Sequence, residues 1–257
     1  MPVYFDSTAD AVGWISGGPV GQSIESICFC GLGLVKANNG SGNQHLVLAS
    51  HDGVSTSIGL VWRGSADNMY VFSIGTSVAF ASRPALNTPF FWYLQCAGSG
   101  ADQVTAGWAY LDSSAFVTQS VTLDAAAAGG TIASTAFGGN GAVFLNGELA
   151  AVRAWTTTLT TTELDAERYT MFPQKLTTAM GYLPLWDAST YRVDASGNGF
   201  DLDDLTGVGL TVPSNGTEGF PVRIRSRRAG RAVPYAAPTA AYPAWFTQAR
   251  IVRARGA

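Results

Sequence analysis

Short apolar runs, separated by clusters of Gly, Asn, Asp and Ser, follow one another along most of this chain. Such runs are typical of β-strands joined by turns, and no long helical pattern lies between them. They therefore predict antiparallel strands rather than a parallel sheet. Thirty glycines and an aromatic content of 11% agree with many short strands. The predicted strands cover residues 3–5, 23–35, 45–50, 59–63, 68–73, 90–97, 103–111, 119–123 and 142–155.

One helix is predicted within this β-rich pattern. Thr160 is followed three residues later by Glu163, a capping box in which each side chain accepts a hydrogen bond from the other residue's backbone N–H. Pro173 ends the element, which predicts a helix of about ten residues. Upstream, Asn146-Gly147 is a tight-turn signal that interrupts the strand over 142–155. Downstream, a polar turn over 194–199 predicts a final hairpin between 181–186 and 200–205.

The run FLNGELAAVRAWTTTLTTTELDAE, residues 144–167, joins a Gly-containing turn, a strand ending in Arg-x-Trp and the capped helix. It resembles the closing element of laminin-G-like, concanavalin-A-like jelly-roll domains. Upstream, Tyr4-Phe5-Asp6, the buried run 24–35 and Phe91-Trp92-Tyr93 follow the same order. The resemblance covers residues 1 to 205 and implies an all-β, antiparallel concanavalin-A-like jelly-roll sandwich with one short helix.

The segment GYLPLWDASTYRVDASGNGFDL, residues 181–202, is similar to a hairpin that opens many such domains, whereas here it closes the domain. This order, followed by a Pro-rich tail, resembles the jelly-roll structural proteins of tailed-bacteriophage virions. The resemblance implies a virion protein that binds other proteins of the particle and self-associates, a trimer being common in such assemblies. Fold analogy by itself does not fix a function.

Three carboxylates, Glu163, Asp165 and Glu167, match the Glu-x-Asp-x-Glu string of glycosidases built on concanavalin-like sandwiches. Those enzymes carry the string on a strand, where alternate residues share one face and two carboxylates flank the scissile bond at about 5 Å. On a capped helix the same spacing spreads the carboxylates, so we predict a solvated helix face and no enzyme. Neither His45 nor His51 lies in a nucleophile-elbow sequence, which disfavours a Ser-His-Asp triad.

No metal site or cofactor is predicted. Of the three cysteines, Cys28, Cys30 and Cys96, the first two are interpreted as small core residues, because a metal site would need further ligands and the two histidines lack a fitting spacing. The oxygens of Asp194, Ser196 and their neighbours up to Asp203 alternate as in a calcium loop, but without a bidentate carboxylate at the required spacing. A plain turn is the favoured interpretation and calcium the alternative. No Gly-rich phosphate loop is present.

Six tryptophans are predicted to pack in the core, with a sugar-binding cleft as the alternative. They are Trp14, Trp62, Trp92, Trp108, Trp155 and Trp186. The first residues lack the basic and apolar regions of a secretion signal, and no apolar run is long enough to span a membrane. We therefore expect synthesis in a host cytoplasm, without export by a signal peptide and without a membrane partner.

The charge of the chain is divided sharply between its two ends. Residues 1–220 carry 7 basic and 18 acidic residues, whereas residues 221–257 carry eight arginines and no acidic residue. The last segment also holds four prolines, which exclude a continuous helix or a central strand. Val222 and Ile224 alternate with Arg223 and Arg225, which predicts a last half-buried strand. The sequence therefore predicts a jelly-roll domain over 1–225 and an extended basic arm over 226–257, with a disordered tail as the alternative.

The arm is predicted to bind a partner, because a solvated tail rarely carries large apolar groups. The predicted contact residues are Arg227, Arg228, Arg231, Tyr242, Trp245, Phe246, Arg250, Arg253 and Arg255. The acidic body opposes approach to nucleic acid, so an acidic protein surface is the expected partner. We expect a non-enzymatic virion structural protein, most specifically a capsid decoration protein held by its arm. The alternative is a carbohydrate-binding adhesin or receptor-binding protein of a phage tail, which would bind surface glycan.

Overall fold

The computed structural model describes residues 3–6, 12–14, 16–38, 40, 42–52, 56–112, 115–139, 144–170, 172–185, 193–201, 203–204 and 214–215. Its strands in chain order are β1 (Val3–Asp6), β2 (Val12–Gly13), β3 (Ile27–Val35), β4 (Asn43–Ser50), β5 (Thr56–Arg63), β6 (Asn68–Ser73), β7 (Thr76–Ala79), β8 (Phe90–Cys96), β9 (Val104–Tyr110), β10 (Val117–Val121), β11 (Ser134–Phe137), β12 (Asn146–Trp155), β13 (Ala179–Leu183), β14 (Asp203–Asp204) and β15 (Ser214–Asn215). Helix α1 spans Thr161–Arg168.

Within these described residues, the strands form two antiparallel sheets. One has the order β10-β9-β8-β3-β12-β1-β15, and β13 pairs with the second half of β12 beside β1. The other has the order β14-β2-β11-β4-β5-β6-β7. The two sheets and the single short α-helix of the described residues confirm the predicted all-β sandwich. The predicted arm over 226–257 and the boundary at Arg225 lie outside the described residues.

The space between the sheets is filled mainly by aromatic and branched side chains. Trp14 packs edge-on against Phe137 at 5.5 Å between ring centres, and Phe29 packs against Phe137 from the facing sheet at 6.3 Å. The tryptophans predicted for the core are buried wherever they are described, namely Trp14, Trp62, Trp92, Trp108 and Trp155. Trp186 lies outside the described residues. Burial of these large rings contributes much of the hydrophobic stabilisation of the sandwich.

The sequence prediction was wrong at Asn146-Gly147. These residues are not a turn but the first two of β12, where Asn146 pairs with Asp6 and Gly147 pairs with Phe5 and Val35. A Cβ at position 147 would lie 2.1 Å from the Leu34 carbonyl oxygen, so glycine is required by the close approach of the neighbouring strand. A local turn signal was thus overridden by pairing on both sides.

A β-bulge in β12 decides which side chains reach the outer face of the eight-stranded sheet. The pairing with β3 shifts between Ala150 and Arg153, and Ala151 adopts a left-handed φ of 51°. One extra residue reverses the alternation of faces. Val152 therefore stays in the core between the sheets, whereas Arg153 and Trp155 point outward, toward α1.

Candidate functional site

The outer face of the eight-stranded sheet is covered by the protein itself. Leu159 and Leu164 of the α1 region pack over Cys28, Cys30 and Trp155 of the sheet. We call this region the covered face. All three residues from the sheet are fully buried. Burial raises the pKa of the Cys30 thiol to about 12, so both it and the Cys28 thiol, whose pKa is also raised, stay protonated. The interpretation of these cysteines as core residues is confirmed.

A buried ion pair lies under the helix on the covered face. Arg153 Nη1 is 3.1 Å from Glu167 Oε2, and both side chains are at most 1% exposed. The guanidinium also donates to the carbonyl oxygens of Glu167 and Thr170. Glu167 Oε1 accepts from the backbone N–H groups of Gln174 and Lys175, at 2.7 and 2.9 Å. The pair therefore joins the strand, the helix and the segment after the helix.

The prediction of a solvated carboxylate face on α1 was wrong for Glu167, which is buried, although it holds for Asp165, whose side chain is 45% exposed. Asp165 pairs with Arg168 at 2.6 Å. Glu163 completes the predicted capping box and pairs with Lys175 at 2.9 Å. The hydrogen bond from the Thr160 N–H, followed by Lys175, lowers the Glu163 pKa. Each carboxylate of the glycosidase-like string thus has its own cationic partner.

The outer face of the seven-stranded sheet carries an open groove of about 370 Å³. Its lining combines imidazole, guanidinium, amide and hydroxyl groups with an apolar floor. We define the sheet groove by Asn43, His45, Val61, Arg63, Phe72 and Ser77. These residues come from β4, β5, β6 and β7, four strands that are consecutive both in the chain and in the sheet.

Strand register brings the groove residues together. His45 is paired with Val61, Asn43 with Arg63, and Phe72 with Ser77. Residues directly opposite each other in neighbouring strands share one face of the sheet. The Phe72 ring lies over Gly59, where an added Cβ would be 2.3 Å from Phe72 Cε1. Glycine at position 59 therefore lets the ring lie close to the sheet and leaves space above it.

Arg63 lies across the groove face of β6. Its guanidinium carbon is 4.2 Å from the centre of the Tyr70 ring, and Nη2 donates to Ser77 Oγ at 3.2 Å. Stacking on an aromatic face fixes the guanidinium plane and leaves its edge available for hydrogen bonds. Among the described residues, no carboxylate forms an ion pair with Arg63.

His45 is almost fully enclosed in the floor of the groove, with 4% of its surface exposed. Desolvation lowers its pKa from 6.5 to about 4, so the ring is neutral near pH 7. Within the described part of the chain, its Nδ1 has no hydrogen-bond partner. A buried polar atom without a partner costs about 1–3 kcal/mol, and His45 Nδ1 shares this state with core atoms such as Trp62 Nε1 and Trp92 Nε1.

The second histidine forms a Ser–His pair that the sequence did not indicate. Ser57 Oγ lies 2.7 Å from His51 Nδ1 and accepts from the His51 backbone N–H at 2.9 Å. Ser57 is fully buried, and Asp52 Oδ1 accepts from Ser50 Oγ at 3.1 Å. The hydroxyl is thus out of reach of a substrate, and the contact closes the end of the β4–β5 hairpin.

The polar turn at Asp194 is held by its own hydrogen bonds. Asp194 Oδ1 accepts from the N–H groups of Tyr182 and Ser196, both at 2.9 Å. Its Oδ2 accepts from Ser196 Oγ at 2.6 Å and from the Phe200 N–H at 3.1 Å. Four donors on one carboxylate account for the residue pattern as a plain turn. In the described part of the chain, no cluster of three or more His, Cys, Asp or Glu is arranged to hold a metal.

Sequence reasoning placed its candidate contacts in the arm, and all of them lie outside the described residues. They are Arg227, Arg228, Arg231, Tyr242, Trp245, Phe246, Arg250, Arg253 and Arg255. The sheet groove was missed. Residues 43–50 (NQHLVLAS) and 68–73 (NMYVFS) do not alternate strictly between polar and apolar types, and the partner strand β7 was not predicted, so the sequence carries no clear signal for the groove.

Comparison with known proteins finds solved structures of low similarity to this chain. No family model matches the chain, and no curated protein matches it. Among solved structures, a candidate carbohydrate-binding protein of Bacteroides ovatus has a TM-score of 0.49 at 14% identity, over 83% of this chain and 62% of that one. The heptameric pentraxin of Limulus polyphemus has a TM-score of 0.47 at 12% identity, over 63% of this chain and 79% of that one.

A third similar structure is the enzymatically active domain of tailspike protein 2 from bacteriophage CBA120. Its TM-score is 0.49 at 13% identity, over 72% of this chain and 33% of that one. This chain thus spans less than two thirds of the Bacteroides protein and a third of the tailspike domain. Identities of 12 to 14% with TM-scores below 0.5 leave the function to be argued from this chain's own residues. Among the described residues, no helix is long and apolar enough to cross a membrane.

Proposed function

We propose that the body of this protein is a non-catalytic glycan-binding module and that the sheet groove is its binding site. The observation that carries the proposal is the composition of the groove. Asn43, Arg63 and Ser77 offer directional hydrogen-bonding groups around an apolar floor of Val61 and Phe72. A sugar presents hydroxyls at its edge and C–H groups on its faces, so it is matched by polar side chains beside an aromatic ring.

The contacts of Glu163, Asp165 and Glu167 support a binding module rather than an enzyme. Glu167 is buried in an ion pair with Arg153, Asp165 pairs with Arg168, and Glu163 caps its own helix. They lie on the covered face, whereas the groove lies on the opposite sheet. The carboxylates of the glycosidase-like string are therefore not positioned to act on a sugar in the groove.

The test is a glycan array with the full chain, followed by isothermal titration calorimetry of the best ligands. We expect saturable binding that Phe72→Ala weakens and that Gly59→Val weakens as well, because the new side chain would lift the Phe72 ring into the groove. Circular dichroism and thermal unfolding would show that both variants are folded. Saturable binding that neither variant changes would overturn the groove as the site, and no binding to a broad array would overturn the function.

We also propose that residues 226–257 hold the body on a larger particle, most specifically as a capsid decoration protein of a virion. The charge distribution favours this second role. Residues 1–225 carry 9 basic and 18 acidic residues, whereas residues 226–257 carry six arginines and no acidic residue. An arm of this charge is attracted to acidic protein surfaces, including a second copy of the body. Glycan binding by the body and attachment through the arm are compatible in one virion protein.

Truncation after Arg225 tests the arm. We expect the truncated chain to stay folded and to lose association with particles or with other copies, and the association of the intact chain to weaken at high salt. Co-sedimentation with particles and size-exclusion chromatography would measure both effects. If the truncated chain assembles at the occupancy of the full chain, the arm is not the attachment element.

A further inference from the structure

We propose that the sheet groove selects glycans that carry a carboxylate, and that Arg63 is the residue that binds this group. The inference deepens the proposed glycan-binding function and rests on it. It specifies the substrate class as acidic sugars, such as uronic or sialic acids, rather than neutral ones.

The pairing of the basic residues in the body singles out Arg63. Lys36 pairs with Glu148 at 2.8 Å, Arg83 with Asp67 at 2.6 Å, and Lys175 with Glu163 at 2.9 Å. Arg153 and Arg168 pair with carboxylates under the helix. Of the six basic residues that the structure describes, Arg63 is the one without such a pair. Because residues 1–220 contain 18 acidic residues, an arginine without a carboxylate partner among the described residues is unexpected there.

The geometry of Arg63 suits a planar anion. Its guanidinium is held over the Tyr70 ring and by Ser77 Oγ, so its orientation is fixed before a ligand arrives. A carboxylate can accept two parallel N–H bonds from such an edge, and these charge-assisted bonds are among the strongest in proteins. Within the lining of the groove that is described, Arg63 is also the one ionised group, because the lining holds no Asp, Glu or Lys and His45 is neutral near pH 7.

The remaining groups explain why the anion would belong to a sugar. Thr56, Thr76 and Ser77 bring hydroxyls to the lining, Asn43 brings an amide, and Phe72 forms the apolar floor. A free acidic peptide would satisfy Arg63 but would leave most of these groups without partners. A carboxylated pyranose uses the cation, the polar edge and the aromatic floor together.

The experiment compares ligands that differ in charge alone. Oligogalacturonates and sialyllactose are each compared with their methyl esters, which have the same sugar rings. Calorimetry with the full chain is expected to show that at least one acid binds about tenfold to a hundredfold more tightly than its neutral counterpart, with the difference shrinking in high salt. The two acids distinguish uronic from sialic acid recognition.

Arg63→Gln provides the decisive variant, and Arg83→Gln is its matched control because that arginine is outside the groove and already paired. Arg63→Gln should abolish the preference for the acid, because affinity for the acid should fall about tenfold to a hundredfold further than affinity for the neutral sugar. Arg83→Gln should keep the preference. Thermal unfolding of both variants checks that each is folded, and Arg63→Lys, which keeps the charge but not the planar fork, should recover part of the preference.

The outcomes separate this inference from the function on which it rests. Equal, saturable binding of acid and methyl ester that Phe72→Ala weakens would overturn the acidic preference and leave glycan binding in place. Preference for sulfated over carboxylated sugars would overturn the assignment of the anion. Failure to bind any sugar would overturn both.

Discussion

Both outer faces of the sandwich carry an arginine near aromatic rings, but of these two only Arg153 pairs with a carboxylate among the described residues, whereas Arg63 does not. On the covered face, Arg153 is buried against Glu167 beneath α1. On the opposite sheet, Arg63 is held over Tyr70 in an open groove, without a carboxylate partner among the described residues. Arg153 is paired with a carboxylate of the protein itself. Arg63 is oriented by the Tyr70 ring and Ser77, and its guanidinium has no carboxylate partner among the described residues.

The difference follows from what lies over each sheet. The bulge at Ala151 directs Arg153 toward a helix that supplies both a carboxylate and backbone carbonyls. The strands β4 to β7 follow one another through short connections, and no described helix is packed over their outer residues. A charge that the chain must bury needs a partner from the chain itself, whereas a charge at an open face does not.

The largest change in the free energy of unfolding is expected for a substitution on the covered face. Glu167→Gln keeps an acceptor for the N–H groups of Gln174 and Lys175 but removes the charge that pairs with Arg153. An uncompensated buried charge costs about 3–5 kcal/mol, so urea denaturation should show a loss of that size. As a matched control, Asp67→Asn removes the partner of Arg83 in a pair whose side chains are 29% and 45% exposed, and it should cost less than about 1 kcal/mol.

A second variant tests whether the unpaired charge of Arg153 causes this loss of stability. Adding Arg153→Met to Glu167→Gln removes the unpaired charge, and it should recover most of the stability that the single change loses. If Glu167→Gln costs no more than Asp67→Asn, the covered face does not depend on its ion pair. The contrast between the two faces would then be one of exposure rather than of charge compensation.

The next largest effect is the pH dependence of the free energy of unfolding that His45 in the sheet groove produces. The folded protein keeps His45 neutral down to about pH 4, whereas an unfolded chain protonates histidine near pH 6.5. The unfolded state therefore binds more protons between these values, and stability due to His45 is complete above pH 6.5 and declines as the pH falls toward 4. The decline should reach about 3 kcal/mol at pH 4.

Unfolding of the wild type and of His45→Gln across pH 4 to 7 measures the contribution of His45 as a difference. The variant should lose less stability on acidification, since its side chain does not titrate. An NMR titration of the His45 ring gives the pKa directly. A ring that titrates near pH 6.5 would show that the floor of the groove is hydrated and that His45 resembles an open surface residue.

The two faces also differed in how far the sequence could predict them. The capping box at Thr160 and Glu163 predicted the helix because it depends on residues three apart. The run 68–73 was predicted to the residue as a strand and forms β6. The groove depends instead on register between four strands, and β7, with two exposed and two half-buried residues, carries too little apolar pattern to be recognised as a strand.

The buried pair was missed for a different reason. Charged residues are rarely buried, so Glu167 was assigned to a solvated helix face. Nothing local in the sequence reveals the bulge at Ala151, because a left-handed alanine in a strand follows from pairing with the strands on both sides. Long-range pairing likewise turned Asn146-Gly147 from a predicted turn into strand residues.

A third prediction compares one aromatic residue on each side of the molecule. Phe72→Ala removes the floor of the groove and should weaken glycan binding about tenfold, or about 1.4 kcal/mol. Phe172→Ala removes a ring that packs edge-on against Tyr182 on the covered side and is 41% exposed, so it should leave the affinity unchanged. Calorimetry measures both. Similar losses in the two variants would indicate a general effect on folding rather than a site in the groove.

The smallest effect is expected for the capping box at the start of α1, the helix that lies over the covered face. Thr160→Ala removes the hydroxyl that accepts from the Glu163 N–H, at a cost of about 1 kcal/mol in the free energy of unfolding. Glu163→Ala should cost a similar amount, because it removes the acceptor for the Thr160 N–H at 2.8 Å and the partner of Lys175. The double variant should lose less than the sum of the two, since each half of the capping box depends on the other. Neither variant should alter glycan binding, because the helix covers the opposite sheet; a change in affinity would show that the two faces are energetically coupled.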